Sequence, residues 1–362
     1  MKSVKVNLKN NPYPIIFSNN DKDLIKAFKS FVPGNKIFFI SDSNVAPLYL
    51  KRLSDALKRE KFEVRSYVFK AGEQSKNLKT LSDIYNYALN AGIDRKFTVA
   101  ALGGGVVGDT AGFFAATYMR GIKLVQIPTS LLAMVDSSIG GKTGVNIEGG
   151  KNIAGAFYQP KFVYINSDFL KTLDCQNIKN GMGEVVKYAV TFSYDFFKKL
   201  NKIFENSIIK QKDFDDIIYE CCKFKANIVE KDEKEVSGVR ELLNFGHTFA
   251  HALETITKYK KFFHGEAVAI GILFAANLAE KINLCTQKTK DEIYQIVTNA
   301  GFKNNTGLKA NNARKILELM KKDKKSISKT VRFVLAKQTG KAVFGVEIKD
   351  AVILKTIEDF LK

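Results

Sequence analysis

The stretch at 102–121, "LGGGVVGDTAGFFAATYMRG", decides how this chain is expected to fold. Its glycines spell G-x-G-x-x-G between 103 and 108, a spacing that lets backbone N–H groups approach a phosphate where a helix begins. The apolar run "FTVAAL" (97–102) precedes the glycines and a helix-like run follows them. We therefore predict a strand, a turn that binds a dinucleotide, and a helix. A tight turn without a ligand is the alternative, because the acidic residue usual about 20 residues downstream is missing.

Strand-like and helix-like runs alternate on both sides of this turn. "KIFFI" (36–40), "FEVRSYVF" (62–69) and "KLVQIPT" (123–129) are typical of strands, and 45–58 and 78–92 have helical spacing. Such alternation predicts a parallel, Rossmann-like sheet with helices on both faces. Two acids follow strand-like runs, Asp42 and Glu73, and each is a candidate to bind a ribose hydroxyl.

After about residue 175 the pattern becomes helical. We predict helices over 181–200, 207–231, 241–258, 264–283 and 289–301, then a hairpin over 329–348 with Gly340 at its turn, and a closing amphipathic helix. The sequence thus predicts an α/β domain over residues 1–178, followed by a mainly α-helical domain over 179–362.

Composition narrows the classes of function. The formal net charge of +20 raises nucleic acid as a partner, but the basic residues are mostly scattered lysines and no nucleic-acid motif is present. We expect a small polyanionic substrate and no nucleic acid.

The longest apolar run, 267–279, falls short of the roughly 20 residues that span a bilayer, so we expect no membrane segment. The amino terminus has no signal-peptide core, and four cysteines without C-x-x-C spacing fit a reducing cytoplasm.

A second glycine-rich stretch lies at 128–157, "PTSLLAMVDSSIGGKTGVNIEGGKNIAGAF". Lys142 and Lys151 each follow a pair of glycines, an arrangement in which backbone and ammonium groups bind phosphate together. The alternative is a flexible loop that carries lysine in a lysine-rich protein.

All three histidines of the chain, His247, His251 and His264, lie in "NFGHTFAHALETITKYKKFFHGEAVAIG" (244–271). His247 and His251 are four residues apart and so share one face of a helix. Catalytic zinc sites combine three protein ligands with an open position, and a carboxylate ligand is therefore sought among Glu184, Glu254 and Glu266. Spacing alone does not choose among them, nor between a metal site and three hydrogen-bonded structural histidines.

These segments together resemble the 3-dehydroquinate synthase family of sugar-phosphate cyclases. The resemblance rests on "GEQSK" (72–76), "GGGVVGD" (103–109), "ATYMRG" (116–121), "IPTSLLAMVDSSIGGKTGVN" (127–146), "GGKNIAGAF" (149–157), "NGMGEVVKYA" (180–189), "LLNFGHTFAHALE" (242–254) and "HGEAVAIG" (264–271). It implies the reaction of that family, in which 3-deoxy-D-arabino-heptulosonate 7-phosphate becomes 3-dehydroquinate and phosphate in the shikimate pathway. NAD transiently oxidises a ring alcohol, phosphate leaves by β-elimination, the ketone is reduced, and ring opening and aldol closure follow.

The resemblance also implies a set of site residues. The ligands of a zinc or cobalt ion would be Glu184, His247 and His264. The catalytic residues would be Lys142, Lys187, Lys225, Arg240 and His251. Further substrate contacts would come from Arg120, Asp136, Asn152, Asn244 and Lys324, with Arg120 reaching into a neighbouring subunit and so implying a homodimer. NAD would be held by Asp42, Gly72, Glu73, Gln74, Ser75, Lys76, Gly105, Val106, Val107, Gly108, Asp109, Thr129, Ser130, Lys142, Lys151, Phe169, Leu170, Lys171 and Thr172.

One segment departs from the family pattern. The family spaces its "DExExGxR" segment one residue tighter than "DEKEVSGVR" (232–240) in this chain. The extra residue falls between Glu235 and Arg240, and we expect it to be taken up as a bulge in a loop that affects how Lys225 and Glu235 are placed relative to Arg240.

Overall fold

The computed structural model describes residues 2–206, 208–323 and 331–362, and the chain divides into two compact units. The first runs to Asp174 and includes Lys225–Glu230, and the second comprises Cys175–Phe224 and the chain from Lys231 onward. The NAD-binding role predicted for residues 1–178 and the metal- and substrate-binding role predicted for 179–362 are not decided by this division and stay predictions.

The first unit is built on a mostly parallel sheet with helices between its strands. In chain order its elements are β1 (Lys2–Val6), β2 (Tyr13–Phe17), α1 (Asp21–Phe31), β3 (Lys36–Asp42), α2 (Ala46–Arg59), β4 (Glu63–Phe69), α3 (Leu78–Asn90), β5 (Phe97–Gly103), α4 (Gly105–Thr117), β6 (Lys123–Pro128), β7 (Lys142–Ile147), β8 (Gly150–Phe157) and β9 (Val163–Ile165). Among the described residues the main sheet has seven strands in the order β1-β2-β9-β6-β5-β3-β4, and only β1 pairs antiparallel. The predicted α/β fold is confirmed.

The centre of this sheet explains its stability. Every residue of β5 is buried, as expected for a strand covered on both faces. Helix α4 packs on it through Val107, Ala111 and Phe114, which belong to an apolar core cluster together with residues of β5. Gly108 lies on the sheet side of α4, where a Cβ would come within 2.9 Å of Oε1 of Gln126. The glycine therefore lets α4 lie close to β6.

Residues 142–157 of the second glycine-rich stretch form a two-stranded hairpin, β7–β8, rather than a loop. Gly144 and Gly155 face each other across it, and a Cβ on Gly155 would lie 2.3 Å from the carbonyl oxygen of Thr143. Glycines at these two positions allow the two backbones to approach. Such small residues also gave the sequence no alternating apolar pattern from which the strands could be predicted.

The second unit is mainly helical, as predicted. Its elements are α5 (Cys175–Phe192), α6 (Tyr194–Phe204), α7 (Gln211–Lys231, whose residues 225–230 belong to the first unit), α8 (His247–Ile256), α9 (His264–Lys281), α10 (Gln287–Asn299), α11 (Ala313–Asp323), the hairpin β10 (Arg332–Gln338) and β11 (Lys341–Glu347), and α12 (Asp350–Phe360). In the part of the chain that the structure describes, no helix is both long and apolar enough to cross a bilayer.

Two predicted helices are shorter than the sequence suggested. The helix expected over 181–200 is interrupted at Ser193, whose hydroxyl accepts the N–H of Phe196 at 3.2 Å and so starts α6. The helix expected over 241–258 begins only at His247, because Gly246 adopts a left-handed φ of +80° after the 3₁₀ turn Val239–Asn244. This break determines which way the histidines face.

Candidate functional site

The residues predicted to bind NAD collect along one edge of the main sheet. Five neighbouring parallel strands, β9, β6, β5, β3 and β4, have their carboxyl ends there. The predicted segments end or follow these strands in that order: Phe169–Thr172, Thr129 and Ser130, Gly105–Asp109, Asp42, and Gly72–Lys76. Ligands of open α/β sheets bind outside the carboxyl ends of the strands, so the topology brings all five segments to the edge where binding is expected.

The glycine turn has the geometry of a phosphate cradle. Gly104 precedes the first turn of α4, where backbone N–H groups lack partners within the helix. A Cβ on Gly104 would lie 3.3 Å from Oγ of Ser130, and one on Gly105 would lie 3.1 Å from Oγ of Ser137. Side chains at these positions would fill the space in front of the turn, and the residues present therefore fit a dinucleotide.

A buried ion pair joins this turn to the segment after β4. Nζ of Lys76 lies 2.5 Å from Oδ2 of Asp109, with only 5% of the Lys76 side chain exposed. Burial raises the pKa of Asp109, although Lys76 opposes that rise. The pair holds residues 72–76 against the start of α4.

Asn146 joins the same segment to the β7–β8 hairpin. Its Nδ2 donates to Oε1 of Glu73 at 2.8 Å, and its backbone N–H donates to the carbonyl of Lys76 at 2.9 Å. Its Oδ1 accepts the N–H of Asn152 at 2.9 Å, and Asn152 has a left-handed φ of +56°. Lys142 and Lys151 lie exposed on this hairpin. Sequence reasoning missed the role of Asn146, for which its place at the end of "GGKTGVN" was the available signal.

Other predicted residues of this unit already have structural partners. Oδ1 of Asp42 accepts the N–H groups of Asn44 and Val45 at 2.8 and 3.0 Å. The Phe169 ring is buried and packs on Tyr49, whereas the side chains of Lys171 and Thr172 in the same turn are exposed. Nζ of Lys225 donates to the backbone carbonyl of Asp136 at 2.6 Å and pairs with its carboxylate.

Arg120 lies at the surface just beyond α4. Helix α4 ends at Thr117, and Met119 and Arg120 have left-handed φ values of +49° and +66°. The Arg95 side chain donates to the carbonyl of Met119 at 2.9 Å and supports this unusual turn.

In the second unit, Glu184, His247 and His264 form a compact group of metal-ligand type. Oε1 of the buried Glu184 lies 3.4 Å from Nε2 of His247 and 3.5 Å from Nε2 of His264. One ligand atom from each residue lies within 4.8 Å of the others, and among the described residues no other such cluster occurs. Both Glu184 oxygens are buried without a hydrogen bond of normal geometry, although Lys187 forms an ion pair with one of them. Two imidazoles and a buried carboxylate fit a catalytic divalent metal.

The three acids that the sequence left as candidate metal ligands have different partners in the structure. Glu184 faces Nε2 of both histidines. Oε1 of Glu254 lies 3.3 Å from the other ring nitrogen of His264, Nδ1. Oε2 of Glu266 instead accepts the backbone N–H of Phe263 at 3.1 Å and caps α9.

Glycines let the helices that carry this cluster approach one another. A Cβ on Gly265 would lie 1.9 Å from the carbonyl oxygen of Asn180, and one on Gly271 would lie 2.0 Å from the carbonyl oxygen of Gly246. These contacts bring α9 against α5 and against the start of α8. Asn180, which the sequence analysis did not single out, also accepts the N–H of Gly265 at 2.7 Å and holds the first turn of α9.

The electrostatics of the cluster favour a cation. Burial would raise the pKa of Glu184, but Lys187 and His247 hold it well below its usual range. Burial lowers the pKa of His247. Burial also acts to lower the pKa of His264, yet the carboxylates of Glu184 and Glu254 beside its ring raise it to about 10.

The segment 232–240 forms a loop around the carboxylate of Asp232. That carboxylate accepts the N–H groups of Val236, Ser237 and Arg240 at 2.8, 3.2 and 3.3 Å. Two residues of this loop, Glu235 (φ +59°) and Gly238 (φ +82°), have left-handed backbone conformations. The buried Arg240 still reaches Glu235, with 3.4 Å between Nε and Oε1, and its Nη1 donates to the carbonyl of Glu233 at 2.6 Å. Sequence reasoning missed Asp232 as the centre of this loop.

The remaining predicted residues of the second unit are placed as follows. Lys187 is buried one turn after Glu184, and the His251 ring centroid lies 5.5 Å from that of His247. Asn244 is exposed just before Gly246. Lys324 lies outside the described residues.

Two models of one protein family match adjoining parts of the chain. The family model described as 3-dehydroquinate synthase N-terminal matches residues 66–180, and the C-terminal model matches residues 181–326. The chain is 54% identical over 360 residues to 3-dehydroquinate synthase of Endomicrobium trichonymphae, covering 99% of both chains. It is also similar in structure to 2-deoxy-scyllo-inosose synthase complexed with carbaglucose-6-phosphate, NAD⁺ and Co²⁺ (TM-score 0.87, 24% identity, 99% of both chains). A third similar protein is 2-epi-5-epi-valiolone synthase of Streptomyces hygroscopicus subsp. jinggangensis with NAD⁺ and Zn²⁺ bound (TM-score 0.85, 24% identity, 98% of both chains).

Proposed function

The chain belongs to the 3-dehydroquinate synthase family, and from that membership we propose that it converts 3-deoxy-D-arabino-heptulosonate 7-phosphate to 3-dehydroquinate and phosphate. The observation that carries the proposal is the identity of 54% over 99% of the chain to a protein of that name. The chain would act as a carbon–oxygen lyase of the shikimate pathway. A location in the cytoplasm belongs to the same proposal, supported by four free cysteines among the described residues.

We propose NAD and a divalent metal, zinc or cobalt, as cofactors. NAD would lie on the glycine turn and the neighbouring strand ends, and Glu184, His247 and His264 would hold the metal. When bound, NAD supplies a hydride acceptor and donor, and the metal supplies a Lewis acid for substrate hydroxyls. The clustering of ligand atoms from Glu184, His247 and His264 supports the metal, and the absence of side chains at Gly104 and Gly105 supports NAD.

The chain's own residues would bind and orient the substrate. Arg240 presents a rigid guanidinium suited to a carboxylate, since Glu233 and Glu235 hold it in place. Lys142, Lys151 and Asn152 on the β7–β8 hairpin would bind the substrate phosphate, with Asn146 fixing the backbone of Asn152. Lys225 and Asp136 would hold a polar group of the substrate, and Asn244 and Lys324 would add contacts. Lys187 and His251 would stabilise negative charge as it develops on the substrate.

A homodimer is part of the proposal, because Arg120 would act on the phosphate site of a second copy. Its exposed position on a left-handed turn supports this role, as does the exposure of Ile153 (68%) and Phe157 (44%) on the hairpin. Mixing Arg120→Ala subunits with His264→Ala subunits tests it. Each variant alone should be inactive, and random hybrids should recover about a quarter of the unsubstituted activity. No recovery in hybrids whose formation is verified by mass would reject the role in a second subunit.

Release of inorganic phosphate from the heptulosonate phosphate tests the reaction. Turnover should require NAD⁺ and stop with a chelator, and nicotinamide absorbance should show no net change because the hydride returns. A sugar phosphate without a carboxylate is the control substrate, since a related cyclase for such a substrate would not need Arg240. Net formation of NADH would instead indicate a dehydrogenase.

A further inference from the structure

The two histidines of the metal-type cluster differ in how their second ring nitrogen is held. Nδ1 of His247 lies 3.2 Å from the carbonyl oxygen of Phe245, a backbone group only two residues away. Nδ1 of His264 lies 3.3 Å from Oε1 of Glu254, a side chain on a different helix. His264 is also the more exposed ring, with 33% of its side chain accessible against 12% for His247.

Glu254 reaches His264 from α8. It lies seven residues after His247, two helical turns on, and therefore on the same face of the helix. Its side chain is only 7% exposed, so the carboxylate is enclosed next to the imidazole. Glu266, which lies two residues after His264, faces the backbone N–H of Phe263 and Lys179 instead. Glu266 is thus near His264 in sequence without contacting its ring, whereas Glu254 contacts the ring from another helix.

We propose that Glu254 is a positioning residue: its carboxylate accepts a hydrogen bond from Nδ1–H of His264, fixes the ring orientation, and leaves Nε2 on the side of Glu184 as a metal ligand. This rests on the proposed metal site. A carboxylate is a stronger acceptor than a carbonyl, and it fixes the tautomer and raises the basicity of the coordinating nitrogen. The backbone of His264 is held separately, since Asn180 accepts the N–H of Gly265 at 2.7 Å. Loss of Glu254 should consequently free the ring without moving α9.

The test is the affinity of the metal-depleted full chain for Zn²⁺, measured by competition with a chromophoric chelator. Because outer-sphere partners of ligating histidines typically contribute 10- to 100-fold to affinity, Glu254→Gln should bind Zn²⁺ about 10-fold more weakly and Glu254→Ala about 100-fold more weakly. Glu280→Gln is the matched control, as it removes a carboxylate from α9 that pairs with Lys290 at 3.4 Å. Its affinity should stay within about twofold of the unsubstituted chain.

A second readout separates positioning from general damage. The visible spectrum of the Co²⁺-loaded chain reports ligand geometry and should change in Glu254→Gln, while the thermal midpoint of the metal-free chain should match that of Glu280→Gln. Unchanged Zn²⁺ affinity and Co²⁺ spectrum in a folded Glu254→Gln would overturn the positioning role. Failure of the unsubstituted chain to bind either metal would instead reject the metal site in the proposed function, and the two failures are therefore distinguishable.

Discussion

At the edge of the main sheet, a candidate ligand meets mostly backbone, whereas in the histidine cluster it meets side chains carried by three helices. The edge takes its geometry from strand order: five carboxyl ends lie side by side, and the glycine turn leaves room in front of α4. The cluster takes its geometry from helix contacts, with Glu184 on α5, His247 on α8 and His264 on α9.

This difference predicts how each region responds to substitution. At Gly104, Gly105 and Gly108 a Cβ would meet the end of a side chain, such as Oε1 of Gln126, which can shift more easily than backbone. The clashes beside the cluster involve backbone, such as the Asn180 carbonyl opposite Gly265. A region built from side chains on closely packed helices should tolerate less change than one built from a backbone turn.

The largest expected effect is the loss of a cluster ligand. His264→Ala should lower the rate of phosphate release by about 1,000-fold or more, because a Lewis acid contributes several kcal/mol to such a transition state. Circular dichroism should show the fold retained. If His264→Ala in metal-free buffer were as active as the unsubstituted chain, the cluster would have no part in catalysis. The comparison between the sheet edge and the cluster would then fail.

A pair of glycine substitutions compares the two regions directly. Gly265→Ala should lower the free energy of unfolding by about 3 kcal/mol, since its Cβ meets backbone that has no room to move. Gly108→Ala should change it by no more than about 1 kcal/mol, because Gln126 can rotate and alanine favours a helix. Urea unfolding measures both. Equal losses would show that the glycine turn is packed as rigidly as the helix crossing.

Asp232 gives a pH-dependent test in the helical unit. Burial by itself raises its pKa, but backbone N–H donors from Ser237, Val236 and Arg240 outweigh it and lower the pKa. The stabilisation is therefore complete above the unfolded pKa of about 3.9 and is lost as the pH falls through the lower native value. Asp232→Asn should cost about 2 kcal/mol at pH 6 and less at pH 3.5. Urea unfolding at both pH values measures the cost, with Asp195→Asn as an exposed control. A cost independent of pH would contradict the charged-acceptor role.

The smallest effect concerns substrate affinity. Arg240→Lys should raise the Michaelis constant for the heptulosonate phosphate about tenfold, because a two-pronged guanidinium becomes a point charge. Arg332→Lys is the control, since it changes a half-exposed arginine paired with Glu347 at 3.0 Å. An unchanged Michaelis constant would remove Arg240 from carboxylate recognition.

Much of the architecture followed from local pattern. Runs such as "KIFFI" and "FTVAAL" are buried strands, and the helix after the glycines begins at Gly105. The β7–β8 hairpin was missed because its alternating small residues carry no clear period of two. The break at Ser193 was missed because apolar spacing continues across it, and only the serine cap marked the end of one helix and the start of the next.

The sequence by itself determined that a glycine turn would start a helix, that His247 and His251 would share a face, and which family the motifs resemble. The first two follow from backbone conformation and the helical repeat, which depend on residues close together in the chain. The third follows from the motifs themselves. Only the tertiary structure decided that Glu184 faces both imidazoles, that Glu254 lies behind His264, and that Glu266 caps its own helix. These helices meet through glycines whose contact partners are distant in sequence. Residue spacing within one helix specifies which side chains share a face, but it does not specify which other helix that face contacts.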